Sequence, residues 1–501
     1  MKFRPAFLPD PAGLYGLITF LFLVRFAGPK ALVDGDTLWH IKIGQTIIET
    51  GKLVSTDGYS HTAAGKEWLA HEWLSEVVMA AFYNLGGLPV VTISFFLLVS
   101  LTFNYLYFTA QKESGAWSSF TAVSLAVAPM ALTHLLARPH IFTWFLGAVT
   151  LHLLICNDKK LWILPLLIAL WSNLHGGVLL GLLLQGGFIA GKLLNNWPGM
   201  QGHSWLAWLQ NERRILIVMT TSIVAMGFNP FGYYPFSFNE AVSADIFSQT
   251  IGEWKPADFQ SMWYVRAWFI WIFIMAAYHA GRTDWTWRLL VPALMWQAMI
   301  HVRHISIAAM FVVPWLAQTL HRVRVPLPFS IMKKADSSGE QLRLSCWTGP
   351  LLTFLVYLFL VGACIIAPPS WQNFAEDRFP LPDNFSQKAI NFIAEETPGK
   401  KLFNEYSWGD YLIYALDPPP PIFIDGRADM YGETIFNDYV TVSMLREGTD
   451  AVLEQYDIDW VLFPKDHPLV RFLGNRPSWR TVFTDETTAI LVLNKGQKTD
   501  D

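Results

Sequence analysis

The sequence predicts a polytopic α-helical membrane protein of about eleven transmembrane helices, followed by a C-terminal extracytoplasmic α/β domain. Three observations carry that expectation. Only 15% of the 501 residues are charged and 52% are apolar, against about 25% charged in ordinary soluble chains. The charge is unevenly placed: residues 372–501 hold 12 basic and 22 acidic side chains, whereas residues 1–371 hold 24 and 18. The body is thus sparse in charge and net positive, and the tail is soluble in character and net negative. Third, basic residues fall on alternate connections, as the positive-inside rule requires. This composition excludes disordered and fibrous classes, and a net charge of −4 excludes a strongly basic nucleic-acid binder. Cys156, Cys346 and Cys364 lie in or beside apolar stretches and form neither a disulfide framework nor a zinc cluster.

A membrane-crossing helix needs about 20 mostly apolar residues. Eleven stretches qualify: 12–28, 88–110, 117–135, 141–156, 161–173, 176–194, 214–228, 263–280, 287–301, 304–320 and 347–367. The fifth and sixth also read as one broken hairpin. The first follows a basic Met-Lys-Phe-Arg start without a small-x-small cleavage site and reads as a retained anchor. With a cytoplasmic N-terminus, Lys112, Lys159, Lys160, Lys192, Arg213, Arg214, Arg282, Arg288 and the 322–343 stretch all fall inside. The domains are then a transmembrane body at 1–371, with a first outer loop at 29–87, and a soluble outer domain at 372–501.

The outer side collects nearly every unusual polar residue of the body. Asp34-Gly35-Asp36 follows the first span directly and precedes an amphipathic helix at 38–50, which Asp36 or Thr37 caps. An Asp-Gly turn with a helix cap is one reading. The other starts from the cost of acidic groups at a membrane surface, which makes them functional candidates. Such an Asp-x-Asp either holds a divalent ion or frees a carboxylate as base. The same loop ends with His71-Glu72-Trp73, and a surface-lying helix is expected over 72–86, anchored by Trp68 and Trp73. Glu72 and Glu76 share its face.

Arg138-Pro139-His140, Asn173-Leu174-His175-Gly176-Gly177 and His301-Val302-Arg303-His304 occupy outer ends of spans. Arginine on the outside opposes the topological bias, so Arg138 and Arg303 read as ligands of a phosphate or pyrophosphate. Snorkelling at the interface is the alternative. The long 229–262 loop folds over the outer face, with Glu253 as its acidic substrate contact.

The tail alternates helix (384–396), strand (400–405), helix (408–416), strand (421–427), helices (432–445 and 449–456), strand (459–464) and a strand pair (479–484 and 488–494). Asp425-Gly426-Arg427-Ala428-Asp429 follows a strand, at a usual ligand position. A structural turn with an Arg–Asp pair fits equally.

In its Asp34-Gly35-Asp36 motif after the first span, its two juxtamembrane helices and its soluble tail, the chain resembles membrane glycosyltransferases of the GT-C superfamily. It is also similar to bacterial membrane proteins of that superfamily bearing Asp-x-Asp-x-x-x-His in the first loop and Asn-x-His-Gly further on. The resemblance implies a sugar donor carried on polyprenyl phosphate, transfer at the outer face of the cytoplasmic membrane with inversion, and a glycan, lipid or protein acceptor. It makes Asp34 the general base. Asp36 binds metal or orients the acceptor, with His40, His71 or Glu72 helping. Arg303, with His301, His304 or Arg138, neutralises the leaving phosphate; His175 and Glu253 complete the substrate contacts. A divalent ion, Mg or Mn, is an open part of this expectation. The tail carries no Trp-Trp-Asp acceptor motif of the oligosaccharyltransferase type. A polymerase or ligase using a diphosphate-linked oligosaccharide is the nearest alternative. A transporter or assembly protein is another, disfavoured because no internal repeat is found and the ionisable groups sit at outer ends of spans.

Overall fold

A computed structural model describes residues 11–196, 205–236, 245–323, 355, 358–360, 362, 385–396 and 398–494. Helices stand at ten of the eleven expected positions: Pro11–Phe22, Trp73–Ser114, Ala116–Thr133, His140–Cys156, Leu164–Leu174, Leu179–Asn196, Trp205–Met226, Trp263–His279, Trp285–Ile300 and the pair His304–Phe311 and Val313–Arg322. Most of the 347–367 stretch, the start of the chain and the expected domain boundary near 372 lie outside the described residues. Among the described helices, Trp73–Lys112 and Gly176–Asn196 are long and apolar enough to cross a membrane, and three shorter ones are apolar. The helical body turns large apolar side chains outward, among them Leu14, Ile18, Leu21, Leu166, Ile270, Phe273 and Ile274.

The amphipathic stretch is a helix over Asp36–Thr50, ended by Gly51 at φ 65°, where glycine costs least. It packs against the helix that starts at Trp73. The two backbones approach so closely at Gly44 that a Cβ there would lie 1.9 Å from the Glu76 carbonyl oxygen. The expected 72–86 helix and 88–110 span are one element, broken by Gly87 at φ 70°. Two details differ from expectation. Neither Asp36 nor Thr37 caps the 36–50 helix: Asp34 Oδ1 accepts from Asp36 N at 3.0 Å, and the Thr37 hydroxyl donates to Ala137 O. Trp68 is no membrane anchor, because it is buried beneath the Arg427 guanidinium; Trp73 donates to Asn173 Oδ1 at 3.0 Å.

The tail holds a four-stranded sheet in the order β1 (Leu402–Asn404), β2 (Trp460–Pro464), β4 (Thr488–Leu493), β3 (Trp479–Thr484). β1 and β2 are parallel, with Phe403 opposite Val461, and the other pairs are antiparallel. The expected strand at 421–427 is absent from this sheet. Its backbone bonds go elsewhere: Ile422 pairs with Tyr59 and His61 of the first loop, and Phe423 N donates to Asn404 Oδ1. A helix at Pro468–Gly474 was not expected.

The tail and the first loop therefore share one interface. Tyr411 donates to Val33 O at 2.8 Å, Lys66 Nζ to Met430 O at 2.6 Å and the Thr62 hydroxyl to Phe423 O at 2.5 Å. At its centre Arg427 is fully buried. Its Nε and Nη2 donate to Asp425, Nη2 also reaches Asp57 at 2.9 Å, and the rings of Trp68 and Tyr59 flank the guanidinium.

Candidate functional site

Residues 31–37 are laid against the start of the Arg138 segment by backbone bonds. Ala137 N donates to Ala31 O, and Ala137 O accepts from Thr37. This pairing sets Arg138 in front of the two aspartates. Arg138 Nη1 donates to Asp34 Oδ2 at 2.8 Å and Glu253 Oε2 at 3.1 Å, and Nη2 contacts Asp36 Oδ2. A planar guanidinium with five donors suits this multiple grip.

Glu253 links the two outer arginines. Its Oε1 accepts from Arg303 Nη1 at 3.2 Å. The backbone repeats the link, since Arg303 N donates to Glu253 O and Val302 N to Lys255 O. His301 Nδ1 lies 2.7 Å from Trp254 O, and the Arg303 guanidinium stands over the Trp254 ring. Burial alone would push Glu253 up, but Arg138 and Arg303 reverse that and hold its carboxyl at about 2. Glu253 is thus a permanent anion between two cations.

Glu72 forms a second centre. His40 Nε2, His71 Nε2 and His175 Nε2 lie 3.6, 3.7 and 3.4 Å from its carboxylate. Burial pushes Glu72 up to about 8, against the pull of Arg138 and Arg303, and burial pushes His71 down to about 4. The network assigns the His175 tautomer. Its Nδ1 accepts from Gly177 N at 2.9 Å, so Nε2 carries the ring proton and faces Glu72. A Cβ on Gly177 would meet Thr143 Oγ1 at 2.5 Å and His175 Nδ1 at 2.7 Å, which accounts for glycine there.

The tail closes the far side. Asp410 Oδ1 accepts from Gly426 N at 2.9 Å. A Cβ on Gly426 would stand 2.2 Å from Asp36 Oδ1 and 3.1 Å from Asp410 Oδ2, so these two carboxyls face the same gap. Burial first, then the charges of Asp36 and Asp425, push Asp410 well above the carboxylate range. Asp429 is pushed up to about 6 by burial, against the pull of Arg427.

All these groups surround one cavity of about 940 Å³, at the upper end of ligand-site sizes. Every residue singled out from the sequence lines it: Asp34, Asp36, His40, His71, Glu72, Arg138, His175, Glu253, His301, Arg303 and His304. Sequence reasoning missed His134 and Tyr406 in the wall and Asp410 behind it; His140 and Asp429, named there only within their motifs, also line the wall. Asp410 stands in the first turn of the helix Trp408–Ala415 at 2% exposure, a burial that its local sequence does not signal.

Asp36, His40, His71 and Glu72, the expected ligands of a divalent ion, do not turn to one common centre. Asp36 turns to Arg138, while the other three turn to one another. His175 Nε2 is protonated and so is no donor to a metal. Among the described residues, no group of three or more His, Cys, Asp or Glu side chains is arranged to hold a metal ion.

No protein-family model matches the sequence, and no curated protein is similar to it. In fold, the chain is similar to the apo oligosaccharyltransferase of Archaeoglobus fulgidus, with a TM-score of 0.55 and 11% identity. The likeness covers 91% of this chain and 69% of that one. A helical body with a small C-terminal sheet, superposing on that enzyme over most of this chain, shows that the two share a fold.

Proposed function

We propose that the protein is an integral-membrane glycosyltransferase that moves a sugar from a polyprenyl-phosphate donor to an acceptor hydroxyl at the outer face of the cytoplasmic membrane. The observation that carries this reading is the convergence of Asp34, Asp36, Arg138, Glu253 and Arg303 on one cavity built from the first loop, four outer segments and the tail. Outward-facing apolar side chains along the helices and two helices of spanning length support the membrane setting, with eleven spans in all, a cytoplasmic N-terminus and an outer tail. The fold similarity supports glycosyl transfer in general terms.

Asp34, whose side chain is 28% exposed, is the base that meets the acceptor. It takes the hydroxyl proton as the acceptor oxygen attacks the anomeric carbon. The bond from that carbon to the phosphate oxygen breaks on the opposite face, its electron pair goes to the phosphate, and the configuration inverts. Arg303 and Arg138, with His301 and His304, take up the charge that develops there. Asp36 orients the acceptor, and His175 lines its approach. Glu253 keeps the two guanidinium groups aligned. A planar fork delivers two parallel bonds to a phosphate, which a lysine does not.

The test is transfer from a labelled polyprenyl-phosphate sugar by the purified protein. Asp34→Asn is expected to slow transfer by roughly 10²–10⁴-fold, the usual contribution of a general base, while donor binding is retained. Unchanged transfer in both Asp34→Asn and Asp36→Asn sinks the assignment.

A further inference from the structure

Three carboxylates converge on one cation in the cavity, and that cation is a side chain. Asp34 Oδ2, Asp36 Oδ2 and Glu253 Oε2 all meet the Arg138 guanidinium. Of the remaining oxygens, Asp34 Oδ1 accepts from Asp36 N and Glu253 Oε1 from Arg303, while Asp36 Oδ1 faces the gap at Gly426 that it shares with Asp410. A divalent ion at this centre would need the same oxygens at about 2.0–2.6 Å. Arg138 occupies that place and repels a second positive charge. Of the nearby imidazoles, His40, His71 and His175 face Glu72, with His175 presenting a protonated nitrogen, and His134 Nδ1 stands 3.8 Å from Glu253 Oε2.

We propose that Arg138 is the resident cation of the acidic centre, doing the work of a divalent ion, so that sugar transfer proceeds without a bound metal. For the reaction this rests on the glycosyl-transfer reading; for the placement of charge it rests on the geometry alone. A guanidinium keeps its charge at every physiological pH and cannot be exchanged or chelated. Its fork also fixes Asp34 and Asp36 relative to each other, which an ion with exchangeable water ligands does less rigidly.

The test is titration of the full chain in detergent with Mn²⁺, read by electron paramagnetic resonance, so that binding is followed whether or not turnover is found. Wild type is expected to bind no Mn²⁺ in the cavity at millimolar concentration. Arg138→Ala, which frees the three carboxylates, is expected to bind one ion at least a hundredfold more tightly than wild type. Adding Asp36→Asn is expected to remove that binding, and Arg138→Lys, which keeps the charge, to show none. Wild type binding one Mn²⁺ that is lost in Asp36→Asn overturns the proposal. So does Arg138→Ala that unfolds cooperatively yet binds nothing. If Arg138→Ala does not fold, the wild-type and Asp36→Asn titrations decide between the same two answers. Transfer, where measured, is expected to persist in excess EDTA; loss of transfer that Mg²⁺ restores overturns the proposal. Absence of any transfer counts against the glycosyl-transfer reading and leaves the Mn²⁺ result standing.

Discussion

Replacing Arg427 with Met should detach the tail from the first loop. Arg427 is 2% exposed, and the carboxylates of Asp425 and Asp57 that it pairs with are completely buried. Met fills much of the volume but leaves two anions without a cation. Asp425 keeps the Tyr431 hydroxyl at 2.7 Å, and Asp57 keeps the Ser60 hydroxyl at 2.6 Å. Those bonds soften the loss without replacing the charge. Breaking a buried ion pair by removing one partner costs about 3–5 kcal/mol, and the contacts with Trp68 and Tyr59 add about 0.5–2 kcal/mol. We take the lower end, about 3 kcal/mol, because the two hydroxyl bonds remain; this corresponds to roughly a hundredfold rise in the open population. The assay is native-state proteolysis of the purified protein, following release of the tail under conditions where reclosing outpaces cleavage. Adding Asp57→Asn and Asp425→Asn should return part of the loss. A change below about fivefold at pH 8, or no return in the triple variant, would refute the reasoning.

Arg303→Ala should weaken binding of a polyprenyl phosphate by roughly 10- to 150-fold, the worth of a charge-assisted bond of about 1.5–3 kcal/mol; calorimetry with the lipid phosphate checks it. Glu72 ionises near 4.5 in the unfolded chain but is pushed up to about 8 when folded. The folded state therefore holds the extra proton between those values, and stability falls as pH rises through that window. Glu72→Gln should flatten the decline of Tm between pH 5 and pH 8.5, and parallel profiles for variant and wild type would count against it. Gly426→Ala should drive a methyl group onto the Asp36 carboxylate, which stands 2.2 Å from the Cβ position. It should slow transfer more than tenfold, with a Tm loss of about 1–3 kcal/mol in equivalent stability.

The helical body was legible in the sequence because long apolar runs bounded by basic residues leave few alternatives. The site residues of the body were legible for a related reason. Arg138 and Arg303 stand where the charge bias opposes arginine, and Asp34 and Asp36 stand where acidic groups are costly. Asp410 and Tyr406 stayed hidden because nothing in their local pattern separates a carboxyl or phenol facing a cavity from one facing water. Their role depends on how the tail docks, a contact between residues more than three hundred positions apart. The 421–427 stretch shows the same limit: its apolar run reads as a strand, yet its backbone partners lie in the first loop. Local pattern identified extended chain there and could not say what it pairs with.

The cavity is also a statement about biosynthesis. Its first lining residue is Asp34 and its last is Asp429, so the ribosome makes one wall long before the other. Until the tail docks on the 57–66 segment, Asp36 faces neither Gly426 nor Asp410, and the cavity does not exist. A chain whose tail has not docked therefore lacks the cavity, and under the proposed function it could not consume a lipid-linked donor.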